Sequence, residues 1–244
     1  MSEPTTTSAD GRGRARGGSR LRAELRRNGL GLAFVVAFLV ALAGQAVVGL
    51  AGHNEELTAA GLEPVSFARY VTGSSFVVDV AENWQSEFLQ FLLFILATVW
   101  LVQRGSPESK PLADAGRGSD EEQKVGAHAR PDSPAAASAG GSRQWLYSHS
   151  LVLVMGAIFL ASWAVQSVAG RVAYNEEQAL DGHPAIGYGE YLTRPDFWDR
   201  TLQNWQSELL AVAAMVIFSI YLRERGSPES KPVGEPHATT GTSG

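Results

Sequence analysis

Four stretches of the sequence hold no Asp, Glu, Lys or Arg: 29–52, 88–102, 144–170 and 209–222. They total 80 residues, so the other 164 carry all 45 charges, a density ordinary for soluble protein. The mean hydropathy of −0.05 therefore averages two different materials, and a single compact soluble domain fits poorly. A helix rises about 1.5 Å per residue, so crossing a ~30 Å hydrocarbon core takes about 20 mostly apolar residues. Segments 29–52 and 146–170 meet that length. The two shorter ones reach it only when counted from Trp84 and Trp205, as 84–103 and 205–222. Tryptophan is favoured at the headgroup boundary, where its ring is apolar and its N–H stays wet. Glu87 and Glu208 then lie about one turn inside that boundary. Buried helices of a soluble protein are the alternative for the short stretches, but neither carries a charged face.

Orientation follows from the basic residues. Seven arginines precede the first span, six basic residues lie in 104–143, and Arg223, Arg225 and Lys231 follow the last span. The two remaining loops hold only Arg69, Arg171, Arg194 and Arg200. Sixteen against four places both termini and the 104–143 segment in the cytoplasm and loops 53–83 and 171–204 outside. Basic residues before an apolar run, with Arg26 and Arg27 adjacent, also suit a cleaved or twin-arginine signal. The 24-residue uncharged run is too long for an ordinary signal core of about 7–15, and the same element recurs in mid-chain, where cleavage as a signal is impossible.

That recurrence is an internal repeat. Shifted by 121 residues, 28–111 aligns without gaps on 149–232 with 30 identities in 84 positions. The identical pairs include Gln45 and Gln166, Gly49 and Gly170, Gly61 and Gly182, Tyr70 and Tyr191, and Phe76 and Phe197. Asn54-Glu55-Glu56 recurs as Asn175-Glu176-Glu177, 83–87 as 204–208, and 104–111 as 225–232. Each copy holds two spans, so both copies enter and leave on one side, as parallel rather than inverted repeats. The expected fold is an all-α membrane protein: four transmembrane helices, as two parallel tandem helical-hairpin repeats with pseudo-two-fold symmetry. Repeat 1 is 21–111 and repeat 2 is 144–232. Segment 112–143, rich in Ala, Gly and Ser, reads as a flexible cytoplasmic linker, and 1–20 and 233–244 read as disordered tails.

The repeated 54–56, 83–87 and 104–111 blocks resemble a family of small, uncharacterised bacterial integral membrane proteins, classed as a domain of unknown function and present here as two tandem copies. The resemblance implies a multi-pass protein of a bacterial, actinobacterial inner membrane. Seventeen Arg against three Lys suits a GC-rich genome. No activity comes with the family.

The repeated polar residues supply the candidate sites. Asn83 and Asn204 read as helix N-caps beside the interfacial anchors Trp84 and Trp205, with Glu87 and Glu208 suiting a positive helix end. A sharper reading gives Glu87, Gln90 and Thr98 one polar stripe, since ionisable groups within hydrocarbon usually face a bundle interior. Gln45 lies between Ala41 and Gly49, and Gln166 between Ser162 and Gly170. Small residues at that spacing let helices approach and amides hydrogen-bond across the contact. Gln45 is expected to pair with a glutamate of the Asn-Trp-Gln-Ser-Glu block within its own repeat, and both glutamines read as structural glue or as part of a solute or proton path.

In the outer loops, Asn54, Glu55, Glu56, Asn175, Glu176 and Glu177 offer hard oxygen ligands, though adjacent carboxylates on a helix diverge and a solvated helix end is the plainer reading. Aromatic residues from Phe67 to Phe76 and from Tyr188 to Trp198 suggest short amphipathic segments on the outer leaflet. At the cytoplasmic ends, Arg104 and Arg225 suit a helix C-terminus, Gly105 and Gly226 the C′ position, and Pro107 and Pro228 a stop. Identity as far as Lys110 and Lys231 exceeds what a stop requires and points to a protein partner at the 104–111 and 225–232 blocks.

No metalloprotease helix, nucleophile elbow, phosphate loop or cysteine pair is present. The sequence therefore points to a non-enzymatic envelope protein of structural or interaction role, without cofactor, metal or nucleic acid and with the lipid bilayer as its first partner. Small-solute or proton transport through Glu87, Glu208, Gln45 and Gln166 is the alternative, and an outer-loop metal- or lipid-sensing module the second.

Overall fold

A computed structural model describes residues 22–241, so the expectations for 1–20 and for the last three residues of the tail fall outside the described residues. Among the described residues the chain is all-helical, without strands. Seven α-helices matter here: α1 (Gly29–Ala59), α2 (Phe67–Val71), α3 (Ser74–Trp100), α4 (Gly141–Ser148), α5 (Ser150–Leu180), α6 (Tyr188–Tyr191) and α7 (Pro195–Tyr221). They fall into two compact units, one ending at Val71 and the other beginning at Thr72.

Helices α1 and α5 are each 31 residues long, about 46 Å, and apolar enough to cross a membrane. A core helix of a soluble protein passes the same test of composition, but it is buried. Here only 6% of the apolar span of α1 is buried and 22% of that of α5. Phe34 is 71% exposed and Val48 73%. Apolar surface of this extent is what lipid would cover. Helices α3 and α7 do not pass that test. Each begins well before its apolar half, so polar residues such as Asp79 and Glu82, or Asp196 and Arg200, occupy its first turns.

In the first unit, α1 ends in a glycine turn. Gly61 has φ +73°, Gly61 N–H donates to Thr58 O and Leu62 N–H to Leu57 O, the bond pattern that closes a helix through a left-handed residue. Asn54 then fixes the returning chain: its amide donates to Val65 O at 3.1 Å and accepts from Val65 N–H at 2.8 Å. Helix α2 brings Tyr70 back onto α1, where its hydroxyl occupies the space that a Cβ on Gly49 would need.

The second unit contains the same devices 121 residues on. Gly182 has φ +76°, and His183 N–H reaches Gln178 O. Asn175 donates to Ile186 O at 3.1 Å and accepts from Ile186 N–H at 2.9 Å. The Tyr191 hydroxyl lies where a Cβ on Gly170 would be, at 2.5 Å. The aromatic segments expected on the outer leaflet are thus turned inward at their key positions: Tyr70, Tyr191 and Phe197 are all buried.

The main helix pairing of this unit is α3 along α5, and α7 packs chiefly on α3 rather than on α5. A hairpin closed on itself would have paired α5 with α7. On α3 the buried residues Val78, Ala81, Gln85 and Leu89 form one stripe, and on α5 Phe159, Ser162, Gln166 and Gly170 form another. Small residues let the two approach: Val78 lies against Gly170 and Leu92 against Gly156. The helices are therefore antiparallel, with facing residues whose numbers sum to 248.

Beyond the helices, 104–111 and 225–232 fold as small serine-pinned loops. Ser109 Oγ accepts from Gln103 N–H at 2.7 Å and Ser230 Oγ from Glu224 N–H at 3.0 Å. Helices α3 and α7 already end at Trp100 and Tyr221, so Gly105 (φ +87°) and Gly226 (φ +85°) shape these loops instead of occupying the C′ position. Residues 233–241 are tied down. Lys231 is buried and donates to Pro236 O, His237 O and Thr239 O, and Gly105 N–H donates to Thr240 Oγ1 at 2.9 Å. In the 112–143 segment, Gly116 N–H reaches Val99 O at 2.7 Å and Arg117 stacks on Trp100 at 5.7 Å, beside two single-turn 3-10 helices.

Candidate functional site

Where α3, α5 and α7 meet, the second unit buries polar side chains. Gln85, Gln166 and Thr201 are each 0% exposed. Trp205 Nε1 donates to Gln85 Oε1 at 2.7 Å, and Gln166 Nε2 donates to Thr201 Oγ1 at 3.3 Å. Thr201 in turn donates to Phe197 O at 2.8 Å. Around them Trp163 contacts Phe159, Phe197, Trp198 and Trp205 at ring-centroid distances of 5.7, 6.2, 6.4 and 6.0 Å. Such a cluster locks three helices, because amides and indoles in an apolar interior have few alternative partners.

An ionic cluster lies toward the start of α7. Arg200 reaches Glu82 at 3.2 Å, Asp196 at 3.4 Å and Asp79 at 3.9 Å. Asp196 also accepts from the Tyr191 hydroxyl at 2.9 Å. Burial pushes the Asp79 and Glu82 carboxyls above their ordinary values, only partly offset by Arg200. Burial opposes the charge on Arg200, but Glu82 and Asp196 outweigh it and raise its pKa. The Tyr191 phenol is also raised, first by burial and then by its bond to Asp196. Among the described residues, no group of three or more His, Cys, Asp or Glu side chains is arranged to hold a metal ion.

The sequence-derived candidates are distributed differently from expectation. Gln166 is buried, with Thr201 as its partner. Gln45 is exposed on α1. Glu87 is exposed and Glu208 half-buried, close enough for their charges to repel. Asn83 and Asn204 do not cap: α3 and α7 begin at Ser74 and Pro195, nine residues earlier, and both amides donate back to the carbonyls of Asp79 and Arg200. Trp84 is 41% exposed, whereas Trp205 turns its N–H inward. Glu55, Glu56, Glu176 and Glu177 are exposed, with Glu176 accepting from Ser74. Arg104 and Arg225 are exposed, while Lys110 donates to Gly116 O at 2.7 Å.

Sequence reasoning missed Gln85, Trp163 and Thr201. Gln85 was visible within the repeated 83–87 block. Its phase on α3 decides the matter, since 78, 81, 85 and 89 share one face and Glu87 lies nearly opposite.

A two-unit helical chain with two bilayer-length apolar helices and a buried amide cluster defines a class of protein but no chemistry. Comparison with known proteins sharpens this by one step. The family described as a domain of unknown function, DUF6766, matches residues 21–242, and the chain belongs to it. The match runs as one span across both halves of the sequence. No curated protein and no solved structure matches the chain.

Proposed function

We propose that this chain is a four-span integral membrane protein of the bacterial inner membrane, with termini and 104–143 in the cytoplasm. Its role is that of a structural or interaction component of the cell envelope, not of a catalyst. The observation that carries the reading is the exposure of α1 and α5, whose apolar surfaces are left uncovered along most of their length. The other two crossings are the apolar halves of α3 and α7, counted from Trp84 and Trp205. Charge supports this arrangement, because 16 of the 20 basic residues fall on the side assigned to the cytoplasm. The decisive experiment is extraction of native membranes at alkaline pH. The protein should stay with the lipid and be released only by detergent; release by alkali alone would contradict the reading.

We further infer that the chain arose by duplication. Bounds of α1 and α5, and of α3 and α7, differ by 121 residues at both ends. Residues related by that offset also meet across α3 and α7, Asp79 with Arg200 at 3.9 Å, and Glu87 lies within electrostatic range of Glu208. Glu108 and Glu229, again 121 apart, approach each other beyond the helix ends, where burial together with Glu229 pushes the Glu108 carboxyl up. Contact between equivalent positions is the mark of a two-fold interface at its axis. The actinobacterial origin and a cytoplasmic partner at 104–111 and 225–232 belong to the same reading.

The opposed Glu87 and Glu208 favour one second reading, a small-solute or proton path. Reconstituted protein would then show flux that the double change Glu87→Gln, Glu208→Gln abolishes. Flux equal to that of empty vesicles would remove it.

A further inference from the structure

Three buried polar atoms around the amide cluster have no hydrogen-bond partner among the described residues: Gln85 Nε2, Trp163 Nε1 and Gln166 Oε1. The helix register brings them to neighbouring levels of the bundle. Helices α3 and α5 run antiparallel with facing residues summing to 248, which sets Gln85 level with residue 163. Gln166 is three residues further along α5, on the same face and about 4.5 Å higher by helical rise. Across from them on α7, Thr201 and Trp205 stand one turn apart, the first bonded to Gln166 and the second to Gln85.

The existing bonds fix which end of each amide is open. An indole N–H can only donate, so the Gln85 atom it meets is the oxygen, and the NH₂ is left over. The Thr201 hydroxyl gives its proton to Phe197 O, so it accepts from Gln166 and leaves that side chain's oxygen over. The open set is thus two donors, from Gln85 and Trp163, and one acceptor, from Gln166. Each, left unmade in an apolar interior, is costly, because the group has given up its bonds to water.

This set selects a chemical class. A carboxylate accepts but has no proton for Gln166. An ammonium donates but has no lone pair for the two N–H groups, and a ketone lacks a donor. A hydroxyl oxygen accepts two hydrogen bonds and donates one. We infer that α3, α5 and α7 enclose a binding site for a small neutral hydroxyl ligand, water or a short alcohol. Gln85 and Trp163 donate to its oxygen, and Gln166 accepts its proton.

The test uses the full chain in detergent micelles with ¹⁵N-labelled tryptophan, Trp163 being assigned among the six indoles by Trp163→Phe. Cross-relaxation between the Trp163 indole proton and water is measured first. Glycerol is then titrated as the alcohol probe. A water cross-peak unaffected by glycerol identifies water as the occupant. A saturable glycerol shift of the Trp163 signal identifies a short alcohol. Either response should be lost in Gln166→Leu, with the Trp205 indole signal kept as the sign of an intact fold. If Gln166→Leu does not fold, Gln85→Leu takes its place with the Trp198 indole, bonded to Leu192 O, as the sign of an intact fold, and the two responses of the unmodified protein still decide whether the site exists. Absence of both responses in the unmodified protein, or a response that survives the substitution in a folded variant, overturns the site.

Discussion

Gly170 and Tyr191 make a contact whose strength can be worked out and measured. Alanine at 170 would put its Cβ 2.5 Å from the Tyr191 hydroxyl oxygen, 3.2 Å from Cζ and 3.3 Å from Val78 Cγ2. Within a helix, Gly→Ala by itself is worth about 1 kcal/mol in favour of folding. Overpacking of this kind costs roughly 1–3 kcal/mol, and displacing a fully buried tyrosine puts it in the upper part of that range, about 2–3, so Gly170→Ala is expected to destabilise by about 1–2 kcal/mol net. Tyr191→Phe removes the bond to Asp196, at a cost of about 1 kcal/mol. In the double variant the closest overlap is gone, so the loss should be smaller than the sum by roughly 0.5–2 kcal/mol. Gly156→Ala is the control, because its nearest neighbour, Leu92, lies at an ordinary 3.7 Å and the change should be neutral or stabilising. Unfolding in detergent, followed by tryptophan fluorescence, gives all four values. Additivity of Gly170→Ala and Tyr191→Phe within about 0.3–0.5 kcal/mol would refute the reasoning.

Arg200→Met leaves Asp79, Glu82 and Asp196 without their cation. With Arg200 one-third exposed, solvent screening limits the expected loss at neutral pH to about 1–3 kcal/mol. Asp79 and Glu82 already have raised pKa values in the folded protein, and losing Arg200 raises them further. A carboxyl raised by folding loses stability as pH climbs from its ordinary value through its folded one, so the deficit should shrink as pH falls from neutral through the raised folded values and be largely gone by about 4. Chemical denaturation at neutral and acid pH checks this, and a deficit independent of pH would contradict it. Asn175→Ala breaks both bonds to the Ile186 peptide and should cost about 1–3 kcal/mol. Asn175→Asp keeps only the acceptor and should fall between, as read by hydrogen exchange at Ile186.

The long apolar helices α1 and α5 were legible because composition alone dictates them. Several of the identities 121 residues apart have a physical cause in the structure: Gly49 and Gly170 make room for Tyr70 and Tyr191, and Asn54 and Asn175 hold the returning backbone. The start of the second helix in each half was not legible. The sequence marks a boundary at Asn83-Trp84 because polarity changes there, yet the helix itself runs on through polar residues to Ser74. Depth in a membrane and helix ends are different boundaries, and only the first is written in hydropathy. Gln85 stayed hidden behind Glu87 for a related reason. Charge singles out Glu87, whereas burial depends on helical phase, and the phase of α3 is set by its packing against α5. That pairing, of a helix from the first half with one from the second, leaves no mark in a single sequence.

The central claim is the four-span topology with a cytoplasmic middle, and the absence of native cysteine allows it to be tested one residue at a time. Single cysteines at 62, 125 and 183, probed on intact cells with a membrane-impermeant maleimide, make the most direct measurement. Labelling at 62 and 183, with 125 reacting only after the membrane is opened, is the expected result. Labelling of 125 from outside, or protection of 62 and 183, would contradict the claim.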